Sequence, residues 1–523
     1  MHEDDQRAVI AYLSDPDSYG DDIAAVKTAA VERIVTHASL IFLAGEHAFK
    51  LKRAVKYSYL DFSTLGLRHR ACEAELALNR RTAPELYLAM RSINRGPDGS
   101  LAFDGPGPVL DWVVVMRRFE QSGLFDRLAV DGALTAPLMI ELADRIAAFH
   151  DDAERTPDHG GSAGIAEVLA INETALARFA PAIFEPAKVS ALCAATRAAL
   201  LGLSALLERR RLAGKVRHCH GDLHLGNICL VDGQPVLFDC IEFSRSLGCI
   251  DVLYDLAFLL MDLEHRRLRN FANLVFNRYL DRSDEADGII ALPFFASLRA
   301  AIRAHVKATA IDGLPDTAAR RAEIAHAASY LDLASDLLRP APALLVAIGG
   351  MSGTGKSTLA ASLAPAIGSF PGARVLRSDV IRKRLLGVKL EERCPERGYT
   401  KAVTATVYGR MRQLAAEALA CGRSVILDAV AADPAERTGF AEIAAAAGLP
   451  FTGLWLEAPP ALLEERIRKR RNDVSDATTD VLRQQLGWNI GPLDWIRVSV
   501  GGDLARCVAA ASNALGISPT VKE

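Results

Sequence analysis

Apolar runs rich in Val, Ile and Leu, each followed by a helical pattern, are confined to the last third of the chain: ALLVAIGG, ARVLRSD, SVILDAV and PFTGLWLEA. Unbroken apolar strands alternating with helices predict a parallel α/β sheet buried on both faces. The first third has another rhythm. There SLIFLA and HAFKLKR flank Gly45-Glu46 and predict an antiparallel hairpin, with helix following from about Gly66 to Arg81. Ala- and Leu-rich stretches at helical spacing fill about Ser162 to Leu212 and Leu253 to Leu338. Between them lies HCHGDLHLGNICLVDGQPVLFDCIEF, a segment of strand-and-loop character. Pro340 and Pro342 punctuate the chain as a linker does, which sets the expected domains at 1–339 and 340–523.

Length agrees with that division, since 523 residues exceed what one hydrophobic core organises. Half the residues are hydrophobic and 24% are charged, the composition of a folded globular chain. The net charge of -3 supplies no overall field for nucleic acid or an anionic membrane, so small polar substrates are the expected partners. The start, MHEDDQRAVI, is acidic where a signal peptide is basic, and no apolar run is expected to reach the ~18 residues of a membrane span. A cytoplasmic location is the corresponding expectation. Nine cysteines without CxxC spacing argue for reduced, mostly buried thiols. His218, Cys219 and His220 look like metal ligands, but neighbours on a strand point to alternate faces.

Residues Gly350 to Ser357, GMSGTGKS, fit G-x-x-x-x-G-K-[ST] between an apolar strand and a helix. Glycines at 350, 353 and 355 let backbone N–H groups wrap phosphates, Lys356 reaches the β- and γ-phosphates, and the Ser357 hydroxyl suits Mg²⁺. Thr358 joins the expected nucleotide-binding set. Asp379, after the second strand, is a candidate to orient or deprotonate an acceptor hydroxyl, or else a helix N-cap, with Arg382 one turn on. Asp428, ending SVILDAV, is either a carboxylate near Mg²⁺ or a turn residue. Arg466, Arg470 and Arg471 lie in ALLEERIRKRRND, read as one helix, where Arg466 and Arg470 at i, i+4 either clamp phosphates or are solvated.

These stretches, with SDVIRKRL, Arg437 and Ser475 to Ala477, resemble the P-loop kinase family related to zeta toxins and polynucleotide kinases. The resemblance covers about Ala343 to Leu515 and implies phosphorylation of a hydroxyl, with Asp379 on the acceptor side and the arginine helix as a lid.

His220 to Asn227, HGDLHLGN, maps onto H-x-D-x-x-x-x-N, and Asp239 follows in VLFDCIEF. This spacing places an aspartate, Asp222, beside the acceptor hydroxyl and Asn227 and Asp239 on Mg²⁺, with His220 bracing the loop. Such a site also needs a strand lysine paired to a helix glutamate. Lys50 is the first choice and Lys52, on the same strand face, the second; Glu75 is preferred over Glu73. DWVVVMRRFE reads as a strand entering an adenine-facing hinge near Met116 to Phe119, or as buried packing alone.

Together with Asp251 and Asp255 in CIDVLYDLAFLL, these residues resemble the aminoglycoside phosphotransferase and choline kinase family from about Val31 to Leu338. The resemblance implies a bilobal protein-kinase-like fold, ATP, Mg²⁺, and transfer to a small-molecule hydroxyl with Asp222 as base. Two departures stand out: THASLIFLAG replaces a glycine-rich loop, and Leu225 stands where many relatives carry proline. The expected protein is an ATP-dependent kinase with two nucleotide sites. The alternatives are a P-loop kinase regulated by a ligand-sensing pseudokinase domain, or a nucleic-acid end kinase, which the near-neutral charge disfavours.

Overall fold

A computed structural model describes residues 3–19, 31–57, 60–311, 317–470 and 474–517. Contacts divide the chain into two compact units, Met1–Asp262 with Leu298–Ala334, and Leu263–Ser297 with Ser335–Glu523.

The first unit opens with a six-stranded antiparallel sheet in the order Glu32–Val35, Ser39–Ala44, His47–Lys52, Val109–Arg117, Tyr87–Arg95, Leu101–Phe103. The expected hairpin is present: Ala44 pairs with His47 across Gly45-Glu46, and Gly45 takes φ +58° where a side chain would be strained. Period-two alternation then sorts the strand His47–Lys52. Phe49 and Leu51 enter one core with Phe42, Val113 and Val115, while Ala48 packs on the other face with Cys72 and Val114. Lys50 and Lys52 share that second face, beneath the helix Leu65–Asn79, which Thr64 caps through Leu67 N.

The remainder of the first unit is mostly helical, including Ala136–Asp152, Gly161–Phe179, Pro186–Leu212 and Ala318–Leu337. Set among them are the short pair Val216–His218 with Cys249–Asp251 and the hairpin Ile228–Val231 with Gln234–Leu237. The expectation about apolar runs needs correction. Pro186–Leu212 and Ala286–Ile311 are long and apolar enough, by length and composition alone, to cross a membrane. Alanine and leucine at helical spacing raise hydropathy whether or not a helix meets lipid. The apolar window of the second is 72% buried, as packing demands, and that of the first 17%.

His305 shows how a helical core sets pH dependence. Asn172 donates through Nδ2 to Leu298 O (3.2 Å), which fixes its amide, so its Oδ1 accepts from His305 Nε2–H at 3.1 Å. Burial pushes the His305 pKa down to about 4. Between pH 4 and 6.5 the unfolded chain therefore binds a proton that the folded chain refuses, and stability falls as pH drops through that window. The loss approaches about 3 kcal/mol by pH 4. Urea unfolding of the wild type at pH 7.5 and 5 should show this decline, and His305→Gln should flatten it.

The second unit is a parallel five-stranded sheet ordered Arg374–Arg377, Val425–Asp428, Leu345–Gly350, Phe451–Glu457, Ile496–Ser499. Its core includes Val346, Ile348, Leu359, Ile426, Leu454 and Val498. The free edge of Arg374–Arg377 is covered by the helix Arg269–Arg282. Asn273, Asn277 and Asp281, spaced four apart, lie on one face of that helix. Asn273 donates to Pro371 O and Ala373 O, Asn277 Oδ1 accepts from Val375 N at 2.8 Å, and Asp281 pairs with Arg374 at 2.7 Å. The edge thus finds polar partners within its own unit.

Candidate active sites

In the first unit the lysine strand, the glutamate helix and the loop after the hairpin strand Gln234–Leu237 converge. Lys50 Nζ donates to Glu75 Oε1 (2.6 Å) and Asp239 Oδ1 (2.5 Å). Lys52 Nζ meets the other Glu75 oxygen at 2.6 Å and also Glu242. Glu75 is fully buried, whereas Glu73 is exposed and faces His69, so the structure brings Glu75 and not Glu73 to the lysines. Burial alone would lower the Lys50 pKa, but Asp239 and Glu75 hold it well above the ordinary range. Glu242 escaped sequence reasoning, although its place three residues after Asp239 was a usable signal.

Asp239 adopts φ +64°, and its N–H reaches Tyr87 Oη at 3.2 Å while the next N–H, of Cys240, donates to Asn79 Oδ1 at 2.8 Å. These bonds hold a strained backbone in place. In the HGDLHLGN loop Asn227 Nδ2 donates to Asp222 Oδ2 at 2.8 Å, and His224 Nε2 stands 3.4 Å from the same carboxylate. Burial acts to raise the Asp222 pKa, yet His224, Arg303 and His220 outweigh it and hold the carboxyl well below its usual range. A charged Asp222 is thereby assured at neutral pH.

The loop is braced from below by the helix Val252–His265. Asp255 accepts the N–H groups of His220 (3.0 Å) and Gly221 (2.8 Å) and pairs with His150 at 3.1 Å. Asp262 accepts from Leu225 N at 3.1 Å. Proline could not make that last bond, which gives the Leu225 departure a physical role. Asp251 holds Arg210 through two 2.8 Å bonds. His220 Nε2 is 2.9 Å from Phe238 O, so the histidine tethers the loop to the segment just before Asp239. Where a glycine-rich turn is missing, Thr36 and Ser39 close the turn themselves: Ser39 N donates to Thr36 Oγ1 at 2.9 Å and Thr36 N to Ser39 O at 2.9 Å. Past the strand Val109–Arg117, with Val113 to Val115 buried, the Phe119 ring meets Phe238 at 5.2 Å.

In the second unit the P-loop joins strand Leu345–Gly350 to helix Lys356–Leu363, with Gly350, Gly353 and Gly355 at φ +136°, +85° and +89°. A Cβ on Gly353 would sit 2.8 Å from Leu463 O, so Gly353→Ala combines a clash with a left-handed strain. We expect it to cost about 1–3 kcal/mol of stability, read as a lower urea midpoint for this unit. Ser352 N donates to the buried Gln485 Oε1 at 2.8 Å, a clamp on the loop that sequence reading missed. Lys356 Nζ folds onto Gly350 O (2.7 Å) and Met351 O (3.0 Å), and burial lowers its pKa despite Asp428 and Asp379.

Ser357 Oγ donates to Asp428 Oδ2 at 2.6 Å, and Arg377 Nε lies 3.5 Å from that oxygen. Thr358 is exposed. Asp379 is half-buried in the first turn of helix Ser378–Leu385, whose N-cap is Arg377, so the capping alternative for Asp379 falls. Arg382, one turn on, is engaged within the protein. It is buried against Gly398 O, Thr404 Oγ1 and the Tyr399 ring. The helix Pro460–Lys469 has Arg470 as its C-cap, at φ −63° and ψ 131°, so the chain leaves the helix after Arg470, and Arg466 donates to Val500 O at 2.8 Å. Arg470 nevertheless lies near enough to influence Lys356. Arg471 lies outside the described residues. Arg437 bonds four carbonyls, Ala431, Ala432, Ile490 and Pro492, and so braces a loop.

Residues 120–289 match the phosphotransferase enzyme family, APH, and residues 345–489 match the AAA domain family AAA_33. Over 493 residues, 91% of this chain and 93% of the relative, the chain is 31% identical to the uncharacterized protein Rv2004c of Mycobacterium tuberculosis. The uncharacterized protein Mb2027c of Mycobacterium bovis matches to the same extent. Among solved structures, an amicoumacin kinase bound to AMP-PNP and Ca²⁺ is 14% identical with a TM-score of 0.38, covering 64% of this chain and 94% of that one. A choline/ethanolamine kinase family protein of Mesorhizobium loti is 13% identical with a TM-score of 0.36 (63% and 99% covered). A gluconokinase from Sinorhizobium meliloti is 21% identical with a TM-score of 0.25 (34% and 94%). The chain belongs to the family of these mycobacterial proteins and is a phosphotransferase in which an aminoglycoside-phosphotransferase-type kinase domain precedes a P-loop kinase-like domain.

Proposed function

We propose that the chain carries two nucleotide sites and moves the γ-phosphate of ATP to hydroxyls of small molecules at each, the first site lying within residues 1–339 and the second within 340–523. At the first site Lys50, held by Glu75, binds the α- and β-phosphates, and Asp222 orients and deprotonates the acceptor hydroxyl. At the second, the glycines of the P-loop with Lys356, Ser357 and Thr358 bind the phosphates, Arg470 and Arg466 close on them, and Asp379 takes the acceptor side.

The donor sets suit Mg²⁺, which prefers hard oxygen ligands. Asn227 uses its Nδ2 on Asp222, which leaves its Oδ1 for a cation beside Asp239, and Ser357 and Asp428 already meet oxygen to oxygen. When bound, the ion supplies charge neutralisation on the transferring phosphate. Asn227 and Asp239 would hold it at the first site, Ser357 and Asp428 at the second.

The observation that carries this reading is the Lys50 bridge between Glu75 and Asp239, because a ligand-sensing remnant has no need of a phosphate lysine locked to both carboxylates. The test is γ-phosphate transfer from labelled ATP to a panel of hydroxyl metabolites and aminoglycosides, comparing wild type, Asp222→Ala, Lys356→Ala and the double variant. Each single variant should remove a separate product. If Asp222→Ala leaves every product in place while Lys356→Ala removes all of them, the first domain is a sensor.

A further inference from the structure

The second unit contains a cavity of about 230 Å³ that no part of the proposed chemistry uses. It lies between the helix Ser378–Leu385, the helix Lys401–Ala420, the strand Arg374–Arg377 and the segment after helix Arg269–Arg282. One wall is apolar, with Leu376, Ile381 and Leu414, and the charged lining comprises three guanidinium groups, Arg374, Arg384 and Arg410, and two carboxylates, Asp284 and Glu417. Only Arg374 has a close carboxylate partner, Asp281 at 2.7 Å. Arg384 donates to two neutral carbonyls, Leu280 O at 3.0 Å and Ser283 O at 3.1 Å, with no carboxylate at ion-pair distance among the described residues. Arg410 reaches Glu417 only at 4.0 Å. Burial first, and then the neighbouring Arg374, lower the Arg384 pKa, with Asp281 and Asp284 only partly restoring it.

Two guanidinium groups without a carboxylate in close contact, Arg384 and Arg410, beside an apolar wall are the complement of a molecule with one anionic head on a short apolar body. A volume below the ~300–1,000 Å³ of drug-sized pockets limits that molecule to a small one. We propose that this cavity is a binding site for a small amphipathic oxyanion, a carboxylate or a phosphate monoester, held by Arg384 and Arg410 with its apolar body against Leu376, Ile381 and Leu414. The cavity touches Val380, Ile381 and Arg384 of the helix whose first turn carries Asp379, so occupancy bears on the positioning of that carboxylate.

Calorimetric titration of the full chain with hexanoate, hexyl phosphate, inorganic phosphate and hexylammonium tests this. Hexanoate or hexyl phosphate should saturate one site per chain, the stronger of the two identifying the head group, while inorganic phosphate binds more weakly and hexylammonium not at all. Arg384→Gln and Arg410→Gln should each weaken binding about tenfold or more. Leu414→Trp, which fills the cavity without changing charge, should block it, and Lys356→Ala should leave it intact. Absence of saturable binding by both amphipathic anions overturns the proposal. So does binding that ignores Arg384→Gln and Leu414→Trp, or binding that Lys356→Ala abolishes, since the probe would then occupy the P-loop.

Discussion

Asparagine in place of Asp222 should lower kcat for the transfer that depends on Lys50 by about 10²–10⁴-fold, with KM for ATP and thermal stability little changed. Asparagine keeps an oxygen to accept from Asn227 Nδ2, which now bonds Asp222 Oδ2 at 2.8 Å, so the loop geometry survives. What disappears is the negative charge beside the acceptor hydroxyl and the capacity to take its proton. Asp222 is half-buried, so its replacement leaves no sealed, unpaired group behind. Because His224, Arg303 and His220 overcome burial and keep this carboxyl ionised, the acid limb of the wild-type pH profile should not arise from Asp222 near neutrality. Steady-state kinetics of the variant, varying ATP and acceptor separately, decides the matter. An unchanged kcat, or a loss confined to KM for ATP, would remove Asp222 from the role of base.

Legibility in the sequence followed the range of each interaction. The hairpin around Gly45-Glu46 was readable because period-two alternation and a two-residue turn are local, and the same alternation put Lys50 and Lys52 on one face. The parallel sheet was readable because strands buried on both faces leave unbroken apolar runs. The P-loop and the HGDLHLGN loop were readable because their chemistry is compressed into eight consecutive residues. Failures arose where a partner lies far along the chain. Nothing local announces that Asn273, Asn277 and Asp281 pair with an edge strand about a hundred residues later, or that Arg382 turns toward Gly398. The arginine stretch, read as one helix, is shorter in the structure: the helix runs Pro460–Lys469 with Arg470 as its C-cap, and pattern alone fixes helix ends poorly. Glu75, preferred over Glu73 from the sequence, is the one buried against Lys50 and Lys52.

Asp255→Ala should be the most damaging single change in the first unit away from the reacting groups. Asp255 is fully buried, and its two oxygens receive the backbone N–H groups of His220 and Gly221 and the ring of His150, with Arg299 at 4.0 Å. Burial would raise its pKa, but His150, His220 and Arg299 hold it below the ordinary range, so the folded protein carries this charge. Alanine leaves two sealed amides without acceptors and a buried guanidinium without its counter-charge. Removing one partner of such a buried arrangement costs about 3–5 kcal/mol. The loss should also reach catalysis, because those amides set the course of the chain into Asp222. Urea unfolding followed by a first-unit probe should move to lower denaturant, and Asp222-dependent transfer should fall while Lys356-dependent transfer persists. A variant that unfolds at the wild-type midpoint and keeps both activities would show that water replaces the carboxylate at no cost, and that the loop needs no brace from below.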